Sequence, residues 1–544
     1  MKNEKCHPDG IASRFTLHTS RFTFIFHCSL FIFHFIDMIN WKLIIKVIGI
    51  LLFVEAGLMA LSMVVGFYYH GYYMPFVWPT VIALVLGAVA TFVGRNAGSS
   101  MGRKDGYLVV TLVWLIFTII GMLPFILSGS LPDVASAFFE SMSGFTSTGA
   151  TVIDNCDIQP RSILFWRSLT QWIGGVGIVF FTIAILPAFG VGELKLFAAE
   201  STGPLHNKVH PRISVTAKWI GFVYLLLTML CILSLYLCGM NLFDAVNYGL
   251  VTIATGGYGT HSAVLQEVYH SKAIEYTLSF FMFMAGVNYT LIYYSILKGK
   301  IGRFFRDAEL RCYLIIILGV TAVCTNTLFW NRIDGLPVSF DSVFHSLDIL
   351  EKSFRDSIFT VVSLQTTTGL ANCDYTVWPV QLMPPLLFVM FAGACSGSST
   401  GGFKCIRWSI IFRVARNNFR KILHPRAILP IRINGQIISH EVVQTLLAFC
   451  ALFVGALLLG SFFLALHGVA PTSPRQQFDY YEALGIAMSS LSNVGPGMGY
   501  YGPEHSWAIL SPVAKFVCSG LMLIGRLEIF PVLIIFTRSF WKKG

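Results

Sequence analysis

Residues 138–151 read FFESMSGFTSTGAT, a short apolar run that ends in a turn of small residues around Gly149. The same design returns three times, and each run is too short to cross a bilayer, which takes about 20 apolar residues. The four turns, which we call the glycine turns, are TSTGA at 146–150, IATGG at 253–257, QTTTGL at 365–370 and SNVGPG at 492–497. Such repetition predicts four copies of one structural unit around a common axis.

Each glycine turn is preceded by a polar residue and a small one, twelve or thirteen positions before its central glycine: Ser136-Ala137, Asp244-Ala245, Asp356-Ser357 and Glu482-Ala483. A polar side chain there caps a helix start, so the pattern predicts a capped half-helix that leads into a glycine-bearing loop. Glycine permits backbone angles that other residues resist. A single turn of this kind is usually an ordinary loop. Four of them favour an ion filter, in which backbone carbonyls replace the water around a cation.

The composition is typical of a membrane protein. Of the 544 residues, 55% are hydrophobic and only 12% are charged, and 47 are Phe. A soluble domain of this length does not normally tolerate that balance. We therefore predict an all-α polytopic membrane protein with ten spans of about 20 residues each. The predicted spans are 43–67, 76–94, 107–127, 164–187, 216–238, 272–297, 311–330, 382–413, 442–466 and 507–537.

The basic residues that give the chain its net charge of +11 lie mainly in the loops between these spans. Basic residues fill the loops at 95–104, 195–218, 298–311 and 404–432, whereas the alternate loops at 128–133, 331–351, 467–482 and 500–506 hold few. By the positive-inside rule the basic loops and both chain ends are cytoplasmic, and the four glycine turns are external. The charge therefore indicates topology, and we expect no nucleic-acid partner.

Catalytic and metal-binding motifs are missing from the sequence. The twelve cysteines form no CxxC pair, and there is no HExxH, GxSxG or GxxxxGK[ST] motif. Cys156 and Cys373 each follow a glycine turn, so a disulfide between them is an open alternative. A membrane enzyme would need a nucleophile, a base or a metal cluster at membrane depth. The pattern favours a pore over an enzyme, with no cofactor in this chain.

Residues 1–37 differ from the rest of the chain. Their segment RFTFIFHCSLFIFHF has the length of a signal-peptide core but lacks a small-residue cleavage site. At Met38 the sequence changes to MINWKLIIKVIGILLFVEAG, a short basic start that runs into a span. We interpret 1–37 as an N-terminal extension and Met38 as the natural initiator.

Several segments resemble the pore subunit of Trk-type bacterial potassium uptake systems, within the Trk/Ktr/HKT family. They are ILFWRSLTQWIGGVGIVFFTIAILP (163–187), AAESTGPLHNKVHPRI (198–213), TIATGGYGT (252–260), QTTTGLANCDYTVWP (365–379), GACSGSSTGGFKCIR (393–407), NVGPGMG (493–499) and GRLEIFP (525–531). The resemblance extends from Met38 to the C-terminus, and the two leading spans favour the TrkH/TrkG branch over the shorter KtrB branch. It implies potassium uptake across the bacterial inner membrane.

The resemblance also implies a potassium-channel-like fold. Four fused, non-identical repeats, each a helix, a pore half-helix and a second helix, would follow two additional N-terminal transmembrane helices. We place the additional helices in 38–100 and the repeats in 101–200, 201–300, 301–430 and 431–544. The family assembles as a homodimer with one pore per chain, so we expect the same assembly here, surrounded by membrane lipids.

The family's filter glycines map onto Gly149, Gly256, Gly369 and Gly495. The resemblance implies that potassium binds the carbonyls of the two residues before each glycine: Ser147 and Thr148, Ala254 and Thr255, Thr367 and Thr368, and Asn493 and Val494. Each repeat shares only one glycine with a Thr-Val-Gly-Tyr-Gly filter, so we expect weaker discrimination against sodium. The alternative function is a potassium symporter of the same fold that is coupled to sodium or protons.

The span that begins at Gln381 is interrupted by GACSGSSTGG at 393–402. So many Gly and Ser residues cannot continue a stable helix, and irregular backbone at membrane depth survives only when it is buried in protein or lines a water-filled cavity. We expect this stretch to lie under the filter. The resemblance implies an intramembrane gating loop, whose residues here are Gly393, Gly397, Ser398, Ser399, Gly401 and Gly402.

Arg526 lies well inside the last span, where a charge needs partners. We expect it to donate to carbonyls of the interrupted segment and to take part in gating. The alternative is an ion pair with Glu528. We interpret Lys404 and Arg407 as ordinary anchors at the inner membrane edge.

Because the chain has no nucleotide-binding motif, regulation by a nucleotide requires a partner. The resemblance implies a cytoplasmic ring of TrkA-like proteins that bind NAD(H) or adenine nucleotides. The basic faces at 298–311 and 404–432 are the expected dock.

Overall fold

The computed structural model describes residues 39–69, 72–98, 101–180, 213–299, 301–333, 341–427, 429–468 and 479–542. The extension predicted at 1–37 lies outside the described residues. Within them the chain is helical except for one two-stranded hairpin. This confirms the predicted all-α class.

Two long helices open the described chain, α1 (Trp41–Tyr68) and α2 (Met74–Val93). They pack closely because small residues lie where they cross. A Cβ atom on Gly49 would lie 2.9 Å from the carbonyl oxygen of Gly87. Such contacts between small residues allow helices to approach each other inside a membrane.

The next two groups of helices each contain one glycine turn. The first group comprises α3 (Arg103–Gly121), α4 (Leu123–Leu127), α5 (Val134–Phe145) and α6 (Arg161–Phe180). The second comprises α7 (Ile213–Leu237), α8 (Leu242–Ala254), α9 (Leu265–Tyr269), α10 (Lys272–Ala285) and α11 (Tyr289–Ile292), which continues as a π-helical turn at Tyr293–Leu297.

The last two groups follow the same order. The third comprises α12 (Ile301–Arg306), α13 (Ala308–Ile333), α14 (Asp341–Gln365), a 3₁₀ turn at Val380–Leu382, α15 (Met383–Ala392) and α16 (Cys405–Leu423). The hairpin β1 (Arg432–Ile433) and β2 (Gln436–Ile437) pairs Arg432 with Ile437 and leads to the fourth group. That group comprises α17 (His440–His467), α18 (Tyr480–Ser492), a 3₁₀ turn at Gly499–Tyr501, α19 (Pro512–Arg526), α20 (Phe530–Leu533), a 3₁₀ turn at Ile534–Phe536 and α21 (Arg538–Trp541).

The predicted continuous spans at 272–297 and 507–537 are wrong, because those second helices are interrupted, whereas the interruption in the second helix of the third group was predicted. The predicted second span of the first group, 164–187, extends beyond the described residues. Within the described residues, six stretches are long and apolar enough to cross a membrane: Trp41–Tyr68, Met74–Val93, Lys104–Leu127, Lys218–Leu237, Ala308–Ile333 and His440–His467. These are the two N-terminal helices and the first helix of each group. The second helices are interrupted after Ala285, Ala392 and Arg526, and the last of these breaks bends the chain by 114°.

A helix precedes every glycine turn, but the predicted helix starts are shifted. Helices α5, α8 and α18 have 12, 13 and 13 residues, and their first turns are capped by the side chains of Asp133, Asn241 and Asp479. The polar residues predicted as starts each lie three residues after the cap. In the third group the prediction is wrong, because Asp356 lies inside the 25-residue helix α14. Helix α14 packs against α13.

Candidate functional site

The four glycine turns share one backbone conformation. In each turn a residue with positive φ is followed two positions later by a glycine with positive φ. The pairs are Ser147 (50°) with Gly149 (88°), Thr255 (53°) with Gly257 (80°), Thr367 (55°) with Gly369 (76°) and Asn493 (57°) with Gly495 (112°). Non-glycine residues avoid this region unless their surroundings hold them there. Recurrence of the pair in every group indicates one shared structural role.

The second glycine turn differs from the prediction by one residue. Its backbone places Gly257, rather than Gly256, at the position of the other three glycines. With Gly257 in that place, the polar residues before the turns lie 13 positions ahead of the glycine in all four groups: Ser136, Asp244, Asp356 and Glu482. This uniform spacing is the sequence signal that could have identified Gly257.

The four turns lie side by side in a closed cycle. A Cβ atom on any of the four glycines would press against the carbonyl oxygen of the residue that precedes the glycine in the next turn. The approaches run from Gly149 to Gly256, from Gly257 to Thr368, from Gly369 to Val494 and from Gly495 back to Thr148. The backbones pack so closely that a side chain at these glycines would displace a neighbouring carbonyl.

An open cleft lies over one side of this cycle. It is lined by all four glycines, Gly149, Gly257, Gly369 and Gly495. Its rim carries the polar side chains of Asp154, His261 and Glu504. A solvated cation therefore has a polar approach to the four glycine turns.

The carbonyl groups of the cycle differ in their protein partners. Gln171 Nε2 donates to the carbonyl oxygen of Gly256 over 2.8 Å. Among the described residues, no protein donor is found for the carbonyl oxygens of Thr148, Thr368 or Val494. A carbonyl oxygen has two lone pairs, so Gly256 also retains acceptor capacity.

Hydroxyl and amide side chains brace the turns from behind. The hydroxyls of Thr146 and Thr148 are hydrogen-bonded at 2.8 Å, and those of Thr366 and Thr368 repeat this contact at 2.8 Å. Asn493 Nδ2 donates to Thr148 Oγ1 over 3.0 Å, which joins the fourth turn to the first. In the second turn, the hydroxyl of Thr255 donates to the carbonyl of Ala254 over 2.7 Å.

The interrupted segment at 393–404 lies against the glycine turns, as predicted. The Gly401 N–H donates to Thr367 Oγ1 over 2.8 Å, and the Ser399 hydroxyl donates to the Ile253 carbonyl over 2.9 Å. A Cβ atom on Gly401 would press against the carbonyl of Ser492. The segment thus contacts the second, third and fourth groups together.

Three of the predicted loop glycines have positive φ, namely Gly393 (65°), Gly397 (73°) and Gly402 (74°). Gly393 and Gly402 meet where the segment leaves and rejoins the helices, since a Cβ on Gly402 would lie 2.9 Å from Gly393 Cα. Within the loop, the hydroxyl of Ser398 is hydrogen-bonded to that of Thr400 at 2.8 Å. These contacts close the segment into a compact loop.

Arg526 joins this loop to the first glycine turn. Its guanidinium is buried, and Nη1 donates to the Ser399 carbonyl over 2.8 Å. Nη2 donates to Ser147 Oγ over 3.1 Å and to the Gly174 carbonyl over 3.2 Å. The hydrogen bond from Arg526 to a loop carbonyl is the predicted one. The alternative pair is wrong, because Glu528 accepts from Arg407 over 2.6 Å.

Lys404 and Arg407 are not exposed anchors, so that interpretation is wrong. They are only 6% and 5% exposed. Lys404 Nζ donates to the Thr400 carbonyl of the loop. The Arg407 guanidinium lies 4.0 Å from the ring centre of Phe449, in addition to its pair with Glu528. Their spacing after the loop resembles that of surface anchors, and only the packing shows that they turn inward.

Glu309 was not identified from the sequence. Its Oε1 accepts from the N–H groups of Ser396 over 2.6 Å and of Ile406 over 3.2 Å, which holds both ends of the loop. An acidic residue in the first turn of a helix is common, because it complements the helix dipole. The sequence therefore gives no signal for this second role.

The cysteines do not form the disulfide that was left open. Cys156 and Cys373 are both free thiols. Among the described residues, no group of three or more His, Cys, Asp or Glu side chains could hold a metal ion.

Comparison with known proteins places the chain among transport proteins. The model of the TrkH family, described as cation transport protein, matches residues 74–543. This chain belongs to the TrkH family. The Trk system potassium uptake protein TrkH of Salmonella typhimurium is 33% identical over 509 residues, which cover 93% of this chain and 100% of that protein. The corresponding TrkG of Escherichia coli is 33% identical over 465 residues, which cover 85% of this chain and 90% of that protein.

A solved structure agrees with this TrkH-family assignment. The crystal structure of the potassium transporter TrkH from Vibrio parahaemolyticus matches with a TM-score of 0.81 and 31% identity, over 92% of this chain and 100% of that one. The comparisons confirm the predicted family and the polytopic helical fold. They also confirm a transport protein rather than an enzyme, located in the bacterial inner membrane.

Proposed function

We propose that this chain takes up potassium ions through the cycle of four glycine turns, and that the loop at 393–404 gates the pathway. The observation that carries the proposal is the closed cycle, in which each turn glycine abuts a carbonyl of the next turn. Relatives that align over 93% and 85% of this chain are named as potassium uptake proteins, which supports potassium as the ion.

In the proposed filter, backbone carbonyls replace the water shell of potassium. One layer consists of the carbonyls that face the neighbouring glycines, those of Thr148, Gly256, Thr368 and Val494. The residues with positive φ supply the next layer, Ser147, Thr255, Thr367 and Asn493. Ala254 precedes Thr255 in the chain, so its carbonyl lies one position beyond the second layer, on the side of the loop. Two layers are fewer than in a longer filter, so we expect moderate rejection of sodium.

In the proposed gate, Arg526 and the loop close the pathway on the inner side of the filter. The guanidinium binds Ser399 of the loop and Ser147 of the first turn at once. Opening requires the loop to break its contacts from Ser399 to Arg526 and from Gly401 to Thr367, so that water or another acceptor satisfies Arg526. The gate residues are those of the loop, Gly393, Gly397, Ser398, Ser399, Gly401 and Gly402, together with Arg526.

Proton-coupled symport is the second candidate, supported by Glu55 in α1. Its side chain is fully buried, and among the described residues neither carboxylate oxygen has a hydrogen-bond partner. An ionisable group at membrane depth is a natural proton carrier. If symport operates, a pH gradient at zero membrane potential drives potassium flux in the unmodified chain but not in Glu55→Gln, whereas a simple channel shows no such flux in either.

We also propose a homodimer on a cytoplasmic TrkA-like ring that binds NAD(H) or adenine nucleotides. The relatives are named as parts of a Trk system, which fits a protein with several components. Arg306 and Arg311 are exposed at the predicted cytoplasmic end, next to the exposed face of α16 that carries Arg413, Arg416 and Arg420. Reversing the charges of Arg306 and Arg311 should weaken copurification with such a ring, most strongly at low salt, where exposed charges are least screened. If copurification is unchanged by both charge reversals, the partner does not bind at this basic surface.

The filter proposal is tested by flux of potassium and sodium into liposomes that contain the purified chain. Gly369→Ser should lower the potassium-to-sodium ratio, because its Cβ displaces the Val494 carbonyl. Gly455→Ser is the matched control, since no atom lies within 4 Å of the position of its Cβ. An unchanged ratio in Gly369→Ser would show that the turns are not the filter.

A further inference from the structure

Each helix before a glycine turn carries a buried carboxylate that binds the chain segment leaving the turn. We call the five residues after each turn glycine the exit segment: 150–154, 258–262, 370–374 and 496–500. In the first group, Glu140 Oε2 accepts from the Val152 N–H over 2.9 Å, and Oε1 accepts from the Thr151 hydroxyl over 3.0 Å. Arg167 Nε donates to the same Oε1 over 2.8 Å and balances the charge.

The second group repeats the arrangement with other residues. Asp244 Oδ1 accepts from the Thr260 hydroxyl over 2.7 Å, and Oδ2 lies 3.1 Å from His261 Nε2. Both donors belong to the exit segment. Tyr269 donates a further hydrogen bond to Oδ2 over 2.5 Å, so this carboxylate is fully engaged.

The third and fourth groups complete the pattern. Asp356 Oδ1 accepts from Asn372 Nδ2 over 3.3 Å, while Arg332 Nη2 donates to Oδ2 over 2.7 Å. Glu482 Oε1 accepts from the Tyr500 N–H over 3.1 Å. Each of these contacts again connects a helix with its own exit segment.

The positions recur even where the residues differ. In three groups the carboxylate binds the third residue after the turn glycine, which is Val152, Thr260 or Asn372; in the fourth it binds the fifth, Tyr500. Three carboxylates lie 13 residues before the glycine. In the first group Ser136 occupies that place, and Glu140, one helical turn later, supplies the carboxylate. If these carboxylates served only to cap their helices, they would not accept a hydrogen bond from the exit segment in all four groups.

We propose that Glu140, Asp244, Asp356 and Glu482 are positioning residues that set the selectivity of the pathway. This inference rests on the proposed filter function. A ring of carbonyls prefers the larger potassium ion only if it cannot close around sodium. The carboxylates hold the outer ends of the turns to rigid helices, which limits that closure. They act through the backbone and do not touch the ion.

The test removes, one at a time, the two partners of the hydrogen bond between Thr260 and Asp244. Asp244→Ala removes the acceptor, and Thr260→Val removes the hydroxyl donor while leaving every charge in place. Thr260→Val should lower the potassium-to-sodium flux ratio by roughly fivefold, the effect expected for one hydrogen bond. Asp244→Ala should lower it further, because it also removes the contacts with His261 and Tyr269. The double variant should show little further loss, because both changes break the same contact. Flux is measured in liposomes and normalised to inserted protein, so Thr260→Val decides the question if Asp244→Ala fails to insert.

Glu351→Gln is the control carboxylate, because Glu351 binds Lys272 and Arg355 but no exit segment. Its flux ratio should equal that of the unmodified chain. If Thr260→Val retains the normal ratio while Gly257→Ser lowers it, the carboxylates only support the fold and the inference fails. If Gly257→Ser also retains the normal ratio, the filter proposal itself fails.

Discussion

The glycine turns and the loop at 393–404 lie in contact but are held in different ways. The turns hold one another by backbone, since each turn glycine abuts a carbonyl of its neighbour. The loop is held mainly by hydrogen bonds: Arg526 donates to its Ser399 carbonyl, Glu309 accepts near both of its ends, and backbone bonds join it to Gly286 and Tyr289. Close packing of the four backbones resists the movement of any one turn, whereas the hydrogen bonds of the loop can be exchanged for bonds to water. The difference suits a rigid filter beside a movable gate.

The largest expected effect is the difference between a serine substitution at Gly257 and one at Gly256. A Cβ at Gly257 would press against the Thr368 carbonyl in a residue whose φ is 80°, whereas one at Gly256 would meet only the Gln171 side chain. Strain of this kind amounts to about 1–3 kcal/mol, so Gly257→Ser should lower the potassium-to-sodium flux ratio by roughly tenfold or stop flux. Gly256→Ser should have a smaller effect, because it displaces the Gln171 side chain rather than the backbone of a neighbouring turn. A stronger effect at Gly256 would show that Gly256 is the filter glycine of the second turn, as predicted from the sequence.

The next effect concerns the loop. Arg526→Ala should raise potassium flux in the absence of any partner by about tenfold, because charge-assisted hydrogen bonds contribute about 1.5–3 kcal/mol each. A deletion within 397–401 should act in the same direction, and Arg526→Lys should be intermediate because lysine has fewer donors. Flux is normalised to inserted protein. Flux at or below that of the unmodified chain in both Arg526→Ala and the deletion would leave Arg526 a purely structural residue.

The smallest effect is a dependence on external pH. His261 lies between Asp244 and Asp157, at 3.1 Å and 2.8 Å. The hydrogen bond to Asp244 raises the pKa of His261 to about 9, although burial opposes this. Burial also opposes the change at Asp157, where hydrogen bonds from His261 and Ser262 lower the pKa of the carboxyl group.

Because the pKa of His261 is raised by folding, the bridge is complete at neutral pH and is lost as the pH rises through about 9. We expect the potassium-to-sodium flux ratio to fall by roughly two- to threefold across that step, as for a partly exposed ion pair. His261→Gln should show the lower ratio at neutral pH and no step. A step of equal size in His261→Gln would assign it to another group.

The fold was predictable where the sequence repeats a simple signal. Long apolar runs identify both N-terminal helices and the first helix of each group. The breaks after Ala285 and Arg526 were not predicted, because hydropathy averaged over a span does not register a short interruption, whereas the break after Ala392 was predicted from its Gly and Ser residues. The N-terminal half of α14 was not predicted to be helical, because its polar residues, from Asp341 onward, resemble a loop.

The candidate site was predictable from local patterns and not from distant contacts. Three turn glycines and the hydrogen bond between Arg526 and the loop follow from glycine spacing and from the need to satisfy a buried charge. The second turn offers adjacent glycines, and only the 13-residue spacing that it shares with the other turns distinguishes Gly257. Gln171 lies 85 residues from Gly256, and Glu309 lies 87 residues from Ser396. Contacts across such distances in sequence leave no local pattern.

The most direct test of the cycle as an ion filter is anomalous diffraction from crystals of this protein grown with rubidium, a stand-in for potassium. We expect an anomalous peak on the axis of the cycle, in direct contact with the carbonyl oxygens of Thr148, Gly256, Thr368 and Val494. The peak should be lost in Gly257→Ser and retained in Gly455→Ser. Rubidium bound elsewhere, with no peak between these four carbonyls, would contradict the central claim.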